Sequence, residues 1–111
     1  MMKLLVGFFS VWSILLPVAT LAAGDPVAGK NYYKLCSACH GPVADGNKAL
    51  NSPALRMQED WYLTRQIQNF RAGIRGANPK DIYGMQMKPF ADMLPNDQAI
   101  DDVVAYIISL R

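Results

Sequence analysis

The chain has little with which to build a conventional metal or redox centre: two cysteines and one histidine in 111 residues. A structural zinc site needs further Cys or His ligands and finds none. No period-two strand pattern surrounds the cysteines, which removes the βαβ setting of a thioredoxin-like dithiol. Charge of one sign is not concentrated anywhere; the formal net charge is only +2. Without a basic cluster there is no footprint for nucleic acid, and without an acidic tail there is no solvating partner segment.

What is there is compact. Cys36, Cys39 and His40 are the only residues of their kinds and stand together as Cys36-Ser37-Ala38-Cys39-His40. C-x-x-C-H is the pattern at which a haem is covalently attached. Two thiols one helical turn apart can add to the two vinyl groups on one porphyrin edge. The histidine after the second thiol then offers an imidazole to the iron as an axial ligand.

The first 23 residues read as an export signal. Lys3 gives a short positive start, Leu4 to Leu16 is an apolar run broken by Pro17, and Thr20-Leu21-Ala22-Ala23 supplies small residues for cleavage. Uncleaved, the stretch from Leu4 to Ala23 has the ~20 residues needed for a membrane anchor. The expected domain is therefore 24–111, matured in the periplasm, with no membrane span once the signal is removed. A domain this short is marginal without a staple, and haem attachment takes both thiols, so the cofactor is expected to be its core.

Within 24–111 the pattern is helical. Asp25-Pro26 is a good helix start, and apolar residues recur from Val27 to Cys39. Gly29, inside that helix, suggests close approach of another helix. After Gly41-Pro42 a long irregular stretch runs to about Asp60, a length that fits a loop wrapped around a cofactor. In it, the Pro53 carbonyl is a candidate acceptor for the second ring nitrogen of His40, a contact that would orient the imidazole. Trp61 to Ala72 is the second helix, with an apolar stripe of Trp61, Leu63, Ile67 and Phe70 and Gly73 at its end. The stretch from Ile74 to Gln86 is expected to be irregular, because Gly76, Pro79 and Gly84 break any period. Met87, just before Lys88-Pro89, falls in a stretch expected to be non-helical and is the candidate distal sulfur ligand; Met85 is the second candidate, and Met93 reads as core. A final helix starts at Asn96 or Asp97 and buries Ile100, Val103, Val104 and Ile107, with Arg111 at its negative end. Tyr106 is expected to pack on Gly29 and Tyr33.

These features resemble the class I c-type cytochromes, especially short bacterial periplasmic ones and single halves of the dihaem periplasmic cytochromes. The resemblance is carried by Gly29, Cys36 to Gly41, Pro53-Ala54-Leu55, Tyr62 with Gln66, Phe70 to Gly73, and Met87-Lys88-Pro89-Phe90 through Ala105-Tyr106-Ile107. Between Leu94 and Tyr106 this chain is one residue longer than the usual pattern. The resemblance implies an all-α cytochrome c fold, about three main helices around one haem c. In it His40 would be the proximal ligand and Met87 the distal one, with the Pro53 carbonyl on His40.

The function expected is one-electron transfer rather than catalysis. A six-coordinate His–Met iron has no free position for substrate, and no second histidine exists to serve as a distal acid or base. Partners would be redox proteins, an oxidase, reductase or dehydrogenase. Two other readings use the same residues: a haem c relay subunit of a larger oxidoreductase, and a ligand-binding sensor with an open distal site.

Overall fold

The computed structural model describes residues 13–14 and 23–111; the rest of the expected export signal lies outside the described residues. Among the described residues the architecture is all-helical: α1 (Pro26–His40), a short 3-10 turn (Lys48–Leu50), α2 (Asp60–Arg71), α3 (Ile82–Asp92) and α4 (Asp97–Ser109). The one pairing of extended chain among them is an isolated antiparallel bridge between Asn47 and Ser52. No helix among them is long and apolar enough to cross a membrane.

The first and last helices form the centre of the fold. Asp25 caps α1 by accepting from the Val27 N–H (2.8 Å), and Asn96 caps α4 by accepting from the Ala99 N–H (2.9 Å). Each satisfies an amide that the helix itself leaves without a partner. Gly29 is buried where α1 crosses α4: a Cβ there would run into the Asp102 carbonyl and come within 2.9 Å of the Tyr106 Cβ. The glycine thus lets two backbones meet, which outweighs its cost of about 1 kcal/mol inside a helix. Beside it the Tyr33 and Tyr106 rings lie 5.3 Å apart at 53°, as the sequence led us to expect. The buried Asp102 carboxylate accepts from the Asp25 N–H at 2.8 Å and from Gln98 Nε2 at 2.9 Å, fastening the start of α1 to the side of α4.

Ile100 and Val103 are the largest fully buried side chains, joined in the core by Val104, Ile107, Leu94, Leu63 and Tyr33. Each such aliphatic side chain contributes ~1.5–3 kcal/mol by leaving water. Helix α2 contributes Leu63 and Phe70 to burial but leaves Trp61 57% exposed, so the expected four-residue apolar stripe is narrower than its spacing implied. Trp61 instead carries the Arg65 guanidinium 5.4 Å from its ring centroid.

Two further expectations are corrected. The stretch around Met87 is not irregular but the helix α3. Its start is made by Asp81, whose side chain accepts from the Gly84 N–H, and Gly84 is tolerated because a Cβ there would collide with that carboxylate. Pro89 comes late in the helix, where its missing N–H costs one hydrogen bond and the helix ends three residues later. Arg111 does not close α4; it donates to the backbone carbonyls of Arg56 (2.9 Å) and Gln58 (2.5 Å), tying the chain's end to the loop before α2.

Candidate haem-attachment site

Cys36, Cys39 and His40 occupy the last turn of α1, so helical geometry alone places the two thiols one turn apart on neighbouring faces. Both cysteines are free and half-buried. Burial, with the neighbouring Cys39 thiol, pushes the Cys36 thiol up to about 11. It is therefore a protonated thiol at neutral pH in the folded, unmodified chain.

His40 is buried, 6% exposed, and its Nδ1 lies 2.8 Å from the Pro53 carbonyl oxygen. A carbonyl can only accept, so this contact places the proton on Nδ1 and leaves the Nε2 lone pair free to coordinate. The loop that brings Pro53 there is built in steps. Gly41 ends α1, with the Tyr33 hydroxyl donating to its carbonyl at 2.6 Å. The Gly46 N–H returns to the His40 carbonyl at 2.7 Å. Gly46 itself holds φ +82, and a Cβ on it would lie 2.6 Å from Ala54 N and 2.8 Å from the Pro53 carbonyl carbon. Only glycine accepts both that dihedral and that approach.

Ala44 carries the strain of the same loop. It is fully buried with φ +57, an unfavourable value for alanine. Its backbone overrides the cost: its N–H donates to Gly41, and its carbonyl accepts from Leu55 (2.9 Å) and Arg56 (3.3 Å). Asp45 and Arg56 add an ion pair at 2.9 Å on the outer side. The Pro53 contact is the one expected from the sequence, whereas nothing in the sequence marks the parts Gly46 and Ala44 play in bringing it about.

Met87 comes from a separate element, α3, where it is half-buried, while Met85 is 45% and Met93 57% exposed. Met93 therefore does not serve the core, as its sequence context had suggested.

Residues 26–111 match the cytochrome c family along their whole length. The chain belongs to that family. It is 41% identical over 93 residues to cytochrome c4 of Azotobacter vinelandii and 38% identical over 93 residues to that of Stutzerimonas stutzeri. Each alignment takes in 81% of this chain and 43% of the relative, so the chain spans less than half the length of these cytochromes c4. It is also 36% identical over 88 residues to cytochrome c-554(548) of Halomonas halodenitrificans, covering 78% of this chain and 98% of that one.

As a cytochrome c domain, the chain carries one haem c with its iron, joined covalently through Cys36 and Cys39. The structure fits that group on its own terms. Free thiols sit at the attachment spacing, and a buried imidazole has one nitrogen satisfied and one available. Large apolar side chains are left exposed in the segments that follow the motif: Leu50 and Met57 in the loop, Ile74 before α3, and Tyr83, Met85 and Phe90 on it. Helix α4 leaves no such residue exposed. A flat apolar cofactor is the natural cover for uncovered apolar surface of this kind.

Proposed function

We propose that this chain is a periplasmic one-electron carrier whose haem iron is held by His40 and Met87. The observation that carries the reading is the His40–Pro53 contact at 2.8 Å, because it commits Nδ1 to the protein and presents Nε2 as a permanent donor. Met87 supplies a soft thioether from α3, a ligand that raises the potential of haem iron relative to harder donors. The bound haem supplies the one-electron couple. The chain's own residues fix the imidazole, bring in the thioether, bury the iron's surroundings and leave no proton-transfer histidine beside it. Such a site changes charge with little rearrangement and performs no bond chemistry, so the protein is not an enzyme. Its partners are redox proteins, an oxidase, reductase or dehydrogenase. Residues 1–23 act as the export signal that delivers it to them.

The test separates the ligands. Met87→Ala should lower the reduction potential and open the iron to external ligands, while Met93→Ala should leave both as they are. The opposite pattern would move the distal ligand to another methionine. Cys36→Ala or Cys39→Ala should weaken covalent haem retention in a denaturing gel, and full retention in both would overturn the attachment reading.

A further inference from the structure

Met87 stands on a helix that the rest of the chain buries at few points. Of the eleven residues of α3 only Gly84 and Ala91 are buried, and Pro89 removes a backbone hydrogen bond from its second half. Packing of the chain on itself is therefore sparse along this element, and one side chain at its start adds a polar tie. The Asp81 carboxylate accepts from the Gly84 N–H at 3.0 Å through Oδ1 and from the Gly76 N–H at 2.9 Å through Oδ2. One oxygen thus caps the helix while the other holds the preceding loop.

The glycines on both sides are fitted to this clamp. A Cβ on Gly84 would occupy the position of the Asp81 carboxylate, and a Cβ on Gly76 would strike the Gly84 carbonyl and lie 2.9 Å from the Lys88 Cβ. The loop is pressed directly against α3 at residues 84 and 88. Gly84, Met87 and Ala91 recur at spacings of three and four, so they share one face of the helix. Whatever fixes α3 at Gly84 also fixes the rotation and height of Met87 one turn further on.

We infer that Asp81 is the positioning residue for the distal ligand: it clamps the Gly76 loop to the start of α3 and so sets the thioether of Met87. This rests on the reading of Met87 as the sulfur ligand. Asp81 does not touch the reacting group and acts only through α3.

The experiment uses the haem-loaded, exported protein. It compares Asp81→Ala, Asp81→Asn, Met87→Ala and, as a matched control, Asn96→Ala, which removes a cap of the same kind from α4. Three quantities are read: the weak long-wavelength band of sulfur bound to ferric haem, the affinity for added imidazole, and the denaturant midpoint. Asp81→Ala should weaken the band and raise imidazole affinity about tenfold, the size expected when a cap bond that favours the closed state is lost. Asp81→Asn, which keeps an accepting oxygen for one of the two amides, should fall between. Asn96→Ala should lower the midpoint comparably and leave band and imidazole affinity unchanged.

If Asp81→Ala lowers only the midpoint, with imidazole affinity within about twofold of the parent, the clamp is merely structural and the inference is overturned. Should Asp81→Ala fail to accumulate, Asp81→Asn decides the matter by the same criterion. A band that survives in Met87→Ala overturns the ligand assignment and the inference with it. A band lost in Met87→Ala but untouched by both Asp81 variants overturns the inference alone.

Discussion

His40 is held in place by residues outside the attachment motif. The Pro53 carbonyl accepts from its Nδ1–H, Gly46 makes room for Pro53, and the Tyr33 hydroxyl donates to the carbonyl of Gly41, the residue after the histidine. Gly46→Val tests this at its tightest point, because the new side chain must displace the Pro53 peptide from a backbone only glycine adopts. The variant should lose about 1–3 kcal/mol of stability to denaturant, within the range for strain at a special dihedral. Parental stability would mean that the loop has slack the structure does not display. Tyr33 adds a pH signature. Burial is the main cause of its phenol being pushed from 10.0 up to about 12. Between pH 10 and 12 the unfolded chain gives up this proton while the folded one keeps it. The stabilisation is therefore whole below pH 10 and is lost as pH rises towards 12. Tyr33→Phe should cost about 1 kcal/mol at neutral pH by removing the bond to Gly41. It should also flatten the fall of stability above pH 10, and denaturant titrations at pH 8, 10 and 11 would show it.

Among the elements, α1 against α4 carries the fold, and α3 bears Met87, the proposed distal ligand. Gly29→Ala should destabilise despite its better helix propensity. Overpacking against the Asp102 carbonyl costs ~1–3 kcal/mol, and the gain from removing a glycine is about 1 kcal/mol. A rise in the thermal midpoint would contradict the close contact. Helices α1, α2 and α4 were legible to within a residue or so, since each has a cap or a long apolar period, and Gly29 announced its crossing. The CxxCH turn was legible because its residue types occur nowhere else in the chain. Helix α3 was not: Gly84 and Pro89 look like breakers unless one knows that Asp81 needs the space beside Gly84 and that Pro89 comes near the end. The one cue was an Asp three residues ahead of a glycine, a cap pattern too common to weigh alone. Trp61 misled in the other direction, because spacing marks a face of a helix and not whether that face is covered.

Among the described residues the chain itself supplies only a small aliphatic core. The aliphatic centre lies between α1 and α4, while Leu50, Met57, Tyr83, Met85 and Phe90 remain exposed on the elements after the motif. A chain of this size has little stability to spare, so the attached cofactor should be part of its fold. The double variant Cys36→Ala, Cys39→Ala, lacking haem, should lose most of its helical circular dichroism or its cooperative melt; an apo chain that melts like the parent would show that the core suffices.

On the proposed ligation the iron would have no open position, being held by His40 and the Met87 sulfur. The optical spectrum of the exported protein tests it most directly, recorded ferric, then ferrous before and after carbon monoxide. The expected result is a low-spin ferric spectrum with the sulfur band, absent in Met87→Ala, and slow or no reaction of the ferrous parent with carbon monoxide. A high-spin ferric spectrum without the band, together with rapid carbon monoxide binding, would contradict it and make the site an open one.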